Sequence, residues 1–454
     1  MPRDWNNAGI PKLWLYNLHY FEGLLCAKTP APLKEQLIAA WLRDNPTGHG
    51  TGWEPYPLSL RIVNWIKWSL TGGSLSADAM QSLAVQVRFL CASLEYHLLG
   101  NHLFANAKAL VFAGSFFKGT EAESWLHKGL KILCDQVKEQ FLPDGGHFEL
   151  STTYHALLTE DLLDLINIMR MASVPVPNEW AGAAVRALKW LCVMTRPDGL
   201  PPLFNDAAYG ITPTYKELSD YAERLGISQP AALLPGMNDL SHSGYFRYEG
   251  KNFSFFGDIG PIGPDYIPGH GHCDMLNFEF YANGQPIIVD TGTSTYEMGD
   301  ARLSERGTAA HNTVQVEDRE QSEIWASFRV ARRAKIIERK ISDNEAVGII
   351  KSYGRGAYTH HRRFNFSDHT VSIQDDITGT HAGAICRARL HFHPDANPEV
   401  RDGKIVCQDF GIIFSGADKI EITDYFYAPE FNKRIPAKVA VITFRKSLRT
   451  EIIV

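Results

Sequence analysis

The chain has 454 residues, of which 44% are apolar and 21% charged, and a formal net charge of −6. The composition is ordinary for a globular protein, and the length exceeds what one core usually serves, so two domains are expected. A net-negative chain is not a nucleic-acid binder by default, and no run approaches the ~18 consecutive apolar residues of a transmembrane helix. Any attraction for an anionic partner therefore has to be built locally. The start, Met1-Pro-Arg-Asp-Trp-Asn, lacks the charged-then-apolar pattern of a signal segment. The chain reads as cytoplasmic, or as periplasmic had a leader been removed. Seven scattered cysteines without a CxxC pair read as buried free thiols.

The first half carries helical periodicity. Apolar residues recur at helical spacing over Pro55–Leu70, Ser76–Leu99, Leu103–Phe117, Ala122–Gln140, Thr153–Met171, Glu179–Thr195 and Tyr215–Leu225. Breakers such as Thr71-Gly-Gly, Pro143-Asp-Gly-Gly and Pro197-Asp-Gly separate them. Short connections favour antiparallel neighbours, and a ring of helical hairpins (an α/α toroid) suits the number of helices.

Within this half, Gly52-Trp-Glu-Pro-Tyr-Pro…Arg offers Trp53, Tyr56 and Arg61 near one helix start. Aromatics stack on sugar rings and Arg61 is able to pair with an anion; the competing reading is an apolar stripe with Ile62, Trp65 and Ile66. Gly100-Asn-His places Asn101 and His102 at another helix start, where Asn101 also suits a cap. Pro143-Asp-Gly-Gly-His-Phe-Glu-Leu-Ser-Thr-Thr-Tyr-His leads from a turn into the candidates Glu149, Tyr154 and His155. Pro201-Pro-Leu-Phe-Asn-Asp-Ala-Ala-Tyr-Gly is a polar loop offering Asn205 and Asp206.

Near Ser241 the period changes. Strand-like runs cover Gly244–Tyr248, Phe253–Asp258, Leu276–Tyr281, Pro286–Val289, Thr313–Val316, Ala331–Ile337, Ala346–Tyr353, His360–Phe366, Thr370–Asp376, Ala388–Phe392, Gly411–Phe414 and Lys419–Tyr427. This predicts a helical domain over 1–235, a hinge at Leu234–Leu240 and an antiparallel β-sandwich over 241–454. The basic stretch Arg329, Arg332, Arg333, Lys335, Arg339 and Lys340 reads either as a solvated strand face or as an anion-binding one.

The densest chemistry lies at Pro268-Gly-His-Gly-His-Cys-Asp. On an extended backbone His270 and His272 project to the same side. Asp290 follows in Ile-Ile-Val-Asp-Thr-Gly and His311 in Ala-Ala-His-Asn-Thr. Two imidazoles and a carboxylate suit zinc or a similar divalent ion; the metal-free alternative has the three hydrogen-bonded to one another.

In this order and spacing, from about Trp53 to Asp318, these motifs resemble the heparinase II/III superfamily. That group includes heparin, heparan sulfate and alginate lyases built as an α/α toroid followed by an antiparallel β-sandwich. Against it the helical half is short at its N-terminus, so the resemblance implies an incomplete toroid or a chain that begins inside what other members have. The resemblance implies Tyr154 as the residue that removes and returns a proton, with Asn101 and His102 neutralising a uronate carboxylate. It implies His270 as a catalytic histidine and His272, Asp290 and His311 as the metal triad. Tyr296 sits near a second active-site tyrosine of related alginate lyases, at a different spacing.

The implied reaction is β-elimination on an acidic polysaccharide. The C5 proton of a uronate is weakly acidic beside a carboxylate, so that charge must be offset before proton removal. A phenol with an ordinary pKa near 10 then needs neighbouring positive charge, for which His270, Arg302 or Arg306 are candidates. Whether one tyrosine serves as base and acid, or a histidine is the base and Tyr154 the acid, stays open. The metal is expected to be structural, holding the His270 loop. Rival functions are a uronate C5-epimerase, a non-catalytic polysaccharide-binding accessory protein, and a hydrolase using Glu149 and Asp206 as a carboxylate pair.

Overall fold

The computed structural model describes residues 4–407 and 410–454. Two compact units divide the chain: Met1–Gln140 with Asp161–Gly182, and Phe141–Glu160 with Ala183–Val454. The division does not follow the change from helix to strand. Helices Thr152–Met171 and Asn178–Val193 each contribute to both units.

The first unit is helical, with Pro55–Leu70, Ala77–Ala92, Gly100–Phe116 and Thr120–Gln140 among its elements. Local chemistry sets the ends. Pro55 occupies the first turn, where no intrahelical N–H is missed, and Ser76 accepts from Ala79 N at 3.2 Å. Helices Lys12–Tyr20 and Ala31–Asp44 were not expected from periodicity, because Trp14 and Leu33 face solvent and blur the apolar stripe. The helix expected to reach Leu99 stops at Ala92, and Leu99 takes a left-handed φ of 60° before the next helix. None of the described helices is long and apolar enough to cross a membrane.

In the second unit every paired strand is antiparallel apart from an isolated parallel bridge between Gly292 and Ala428. A five-stranded sheet runs in chain order through Gly236–Leu240, Tyr245–Glu249, Phe253–Asp258, Phe278–Ala282 and Gln285–Ile288. The predicted hinge is thus partly this sheet's first strand, since Gly236 pairs with Glu249 and Leu240 with Tyr245. An eight-stranded sheet includes Lys335–Ser342, Glu345–Lys351, Thr359–Phe366, Thr370–Thr378 and Ser447–Ile453. Between the two lies an aromatic core: Phe255 meets Phe278 at 5.1 Å and Phe364 at 5.2 Å, and Tyr248 stacks on Phe366 at 4.3 Å. Each such ring removed from water contributes about 1.5–3 kcal/mol.

A four-stranded sheet joins Lys419–Glu430, Lys433–Phe444, Cys386–His391 and Val314–Val316. Pro436 hid its longest hairpin from sequence reading; it lies past the end of the Cys386–His391 pairing, where its missing N–H breaks no ladder on that side. The single strand expected over Ala331–Ile337 is two, Arg329–Ala331 and Lys335–Ser342, broken at Arg332 with a φ of 41°. All seven cysteines are free, but Cys26 is exposed and only Cys273, Cys386 and Cys407 are buried.

Candidate active site

In the second unit, the turn before Tyr154 requires glycine. Gly145 has a φ of 96°, and an added Cβ would overlap the Arg186 carbonyl. Next, Ser151-Thr152-Thr153 ties the start of the helix to the 202–208 loop. Ser151 Oγ donates to Asp206 O at 2.6 Å, Thr152 Oγ1 to Pro202 O at 2.8 Å and Thr153 Oγ1 to Ala208 O at 3.1 Å. Three consecutive hydroxyls thereby bring Tyr154 and Asp206 together.

Asp206 is the hub, and it is fully buried. Its Oδ2 accepts from His270 Nδ1 at 2.8 Å and Arg302 Nη2 at 2.7 Å; its Oδ1 accepts from His272 Nε2 at 2.8 Å and from Arg302 Nη1. Burial alone would raise this carboxyl, but Arg302 and the two histidines overcome it and hold Asp206 well below the usual carboxylate range. His270 and His272 converge on one carboxylate although their segment is not a strand. Gly271 permits this, because a Cβ there would overlap the Ile262 carbonyl.

His270 Nε2 lies 3.4 Å from Glu149 Oε2, and the imidazole stacks on the Tyr154 ring at 3.9 Å. The Tyr154 hydroxyl is 3.2 Å from that of Tyr296. Both tyrosines and His270 keep partial exposure, so the cluster reaches solvent. Burial, with Asp206 adding to it, pushes Tyr296 well above the ordinary tyrosine value. Tyr296 is therefore a proton-bearing phenol beside Tyr154.

Several residues read from sequence as substrate contacts are structural supports. Asn205, with a φ of 57°, donates to Leu150 O at 3.0 Å and accepts from His272 N at 2.9 Å, leaving almost no surface. Asp206 likewise has almost no surface to offer as one of a hydrolytic carboxylate pair. His155 is buried: Nδ1 accepts from His147 N at 3.0 Å and Nε2 meets Ala187 O at 3.0 Å. Glu149 is buried behind His270. Arg302 and Arg306 are fully buried, the latter donating to Gly271 O at 2.9 Å.

The first unit carries its own cluster. His102 keeps 30% side-chain exposure; its Nδ1 meets Glu95 Oε1 at 3.1 Å and its ring lies 4.4 Å from Tyr56. Glu95 also accepts from Asn106 Nδ2 at 2.9 Å, and Asn106 Oδ1 accepts from Glu95 N at 2.8 Å. Sequence reading missed Glu95, whose only signal was an acidic residue shortly before Gly-Asn-His. Asn101 is buried at the helix start, where Gln140 Nε2 donates to Gly100 O at 2.8 Å; the cap position itself is Leu99, not Asn101. Trp53 packs against Trp41 and Phe89. Arg61, fully buried over Trp41 at 4.0 Å, donates to Gln86 Oε1 and Gly52 O, so neither side chain faces a ligand.

Among the described residues no three His, Cys, Asp or Glu side chains form a ready metal-ligand set. The donors nevertheless fit a cation in one respect. His311 directs Nδ1 to Asp290 Oδ2 at 2.7 Å and His272 directs Nε2 to Asp206, leaving His311 Nε2 and His272 Nδ1 buried without partners. The two rings lie 5.3 Å apart. A carboxylate on the far nitrogen is the arrangement that orients metal-binding imidazoles. Burial holds His272 neutral, down to about 3, as ligation requires.

Comparison with known proteins adds to this geometry. The profile "Heparinase II/III N-terminus" matches residues 45–225, and "Heparinase II/III-like, C-terminal" matches 232–454. A heparin-sulfate lyase of Bacteroides stercoris is 24% identical over 319 residues, 65% of this chain and 46% of the relative. The chain thus spans about half the length of the curated relatives it matches. The crystal structure of a heparinase III superimposes with a TM-score of 0.77 at 19% identity, covering 99% of this chain and 79% of the other. A Streptomyces coelicolor A3 chondroitin AC lyase in complex with chondroitin sulphate does so with a TM-score of 0.59 at 12% identity, covering 97% and 74%. These likenesses give the fold as helical toroid followed by antiparallel sandwich. By both of its profiles the chain belongs to the heparinase II/III family.

Proposed function

We propose that the chain is a polysaccharide lyase that cleaves a uronic-acid-containing anionic polysaccharide by β-elimination. The observation that supports this most is the Tyr154 hydroxyl, 3.2 Å from the proton-bearing Tyr296 and stacked on a carboxylate-anchored His270.

In this reading the charge of the uronate carboxylate is offset, the role that the family resemblance gives to Asn101 and His102, and the C5 proton becomes removable. Tyr154 takes that proton as the C4–O bond breaks and the C4=C5 double bond forms. The same phenol returns the proton to the departing oxygen, so no water is consumed. While Tyr154 carries charge, Tyr296 donates to it, and His270 is held in place by Asp206. A divalent ion, zinc by its donor set, would be held by the free nitrogens of His272 and His311, with Asp290 orienting His311, and would supply rigidity to the loop carrying His270.

The test is to incubate the protein with alginate, heparosan, hyaluronan, chondroitin and glucuronan and follow the ultraviolet absorbance of the unsaturated uronate. A rise on at least one polymer, absent in Tyr154→Phe, is expected. Solvent deuterium at C5 without chain cleavage would overturn the lyase in favour of an epimerase.

A further inference from the structure

Arg302 and Arg306 are fully buried, yet both reach the same surface feature. Arg302 donates through Nε and Nη2 to Ser327 O at 3.0 and 2.9 Å, and Arg306 Nη1 donates to Ala326 O and Ser327 O, each at 3.1 Å. Those carbonyls form the tip of the hairpin joining Glu323–Trp325 to Arg329–Ala331, where Ala326 has a left-handed φ of 53°. Strands this short do not hold themselves in water. Since Arg302 also grips Asp206 and Arg306 also grips Gly271 O, the tip is tied to the groups that position His270.

The consequence is an exposed aromatic beside the candidate catalytic residues. The Phe328 ring lies 5.8 Å from His270 and 5.1 Å from Tyr296, yet Phe328 is 42% exposed. Across the ladder Trp325 pairs with Arg329, so both project from one face, and both are exposed. Arg332 and Arg333 have acidic partners in Glu323 and Asp265, whereas Arg329 makes no ion pair among the described residues. Apolar rings exposed beside the candidate catalytic residues mark a surface that a ligand would cover.

We propose that this hairpin tip is a saccharide subsite, in which Phe328 and Trp325 stack on sugar rings and Arg329 pairs with a carboxylate or sulfate. Its ligand is an acidic oligosaccharide segment adjoining the residue that is cleaved. The hydrophobic C–H face of a sugar suits a rigid aromatic platform, and the guanidinium fork suits planar or tetrahedral oxyanions. The assignment deepens the lyase reading and rests on it.

The test compares Phe328→Ala, Phe328→Tyr and Arg329→Ala with the wild type on the cleaved polymer and on its shortest cleaved oligosaccharide. Phe328→Ala is expected to raise KM on polymer about tenfold, with kcat within about twofold. The effect should shrink on the shortest substrate, and Phe328→Tyr should restore most of it. Arg329→Ala should raise KM and weaken its dependence on salt. Unchanged KM in both alanine variants, or an equal loss of kcat at every substrate length, overturns the subsite. If the wild type cleaves none of the polymers, the lyase reading falls separately. Affinity electrophoresis in gels containing those polymers then decides the subsite: retardation lost in both alanine variants supports it, and mobility equal to wild type overturns it.

Discussion

Arg302 forks onto the carboxylate of Asp206, Nη2 to Oδ2 at 2.7 Å with Nη1 on Oδ1, and neither side chain has any solvent exposure. Truncating one partner of such a pair leaves a buried charge uncompensated, which costs about 3–5 kcal/mol. Arg302→Met is therefore expected to lower the chemical denaturation midpoint sharply, and Arg302→Lys to recover part of the loss. A midpoint equal to wild type in the Met variant would show that the pair contributes nothing to stability.

Tyr154→Phe removes one hydroxyl from a partly exposed ring and keeps the stacking on His270. Its melting temperature should match wild type, while kcat on a cleaved polymer falls by about 10³ or more, as expected for loss of an acid–base group. Tyr296→Phe should cost less, about 10 to 100-fold, since it supports Tyr154 through a single hydrogen bond. Near-normal turnover in Tyr154→Phe would end the tyrosine mechanism.

Glu95 acts through His102. Its carboxylate takes Nδ1 at 3.1 Å, and Asn106 holds the carboxylate from the other side. In Glu95→Gln the imidazole keeps a hydrogen-bonding neighbour but loses the charged one that orients its ring. We expect kcat/KM to fall about tenfold or more, with little change in melting temperature. A kcat/KM equal to wild type would assign Glu95 to packing alone.

Much of this was legible in the residues, for identifiable reasons. His270 and His272 were read as facing one side because they are two apart, and they do meet one carboxylate, although in a loop. What the pattern could not tell was which polar groups face inward. Arg61, Asn205, Asp206, Arg302 and Arg306 have the chemistry of ligand-binding residues, yet each is spent on buried carbonyls, amides or charges. Burial of a polar group is decided by partners far along the chain, such as Leu150 for Asn205, and no local periodicity encodes that. The exposed Phe328 was missed for the converse reason: an apolar residue in a strand region reads as core.

The unpartnered nitrogens of His272 and His311 make a metal prediction testable apart from activity. Protein prepared with zinc present should carry about one divalent ion per chain, and His272→Ala should lose it. Chelation should lower the melting temperature of the wild type but leave that of His272→Ala unchanged, because the variant has no ion left to remove. A wild type without stoichiometric metal, or one indifferent to chelator, would refute the site.

Each unit buries a histidine whose protonation on unfolding makes acid unfavourable to the fold. In the first, His19 is buried, with Trp41 Nε1 donating to Nδ1 at 2.9 Å and Nε2 on Trp5 O at 2.9 Å; burial, then Arg61, and also Lys12, depress it to about 4. In the second, burial depresses His155 to about 4 against the smaller opposing effects of Ala187 O and Asp144. Each binds a proton near pH 6.5 when unfolded and only near 4 when folded. The unfolded chain therefore holds more protons across that window, and stability rises with pH through it. The contribution is fully present above about pH 6.5 and disappears as pH falls through 4, on the order of 3 kcal/mol per histidine. Below that, Asp375 adds to the loss: burial would raise it, but Arg362 and His360 hold it at about 2, so its stabilisation fades from about pH 4 downward. Buried Glu279 and Asp274, raised by burial to about 7, act in the opposite sense over this window, so the test is the difference between wild type and His19→Gln: flat above neutrality, it should change by one group between pH 6.5 and 4. A difference constant over that interval would mean that His19 accepts its proton without leaving the fold.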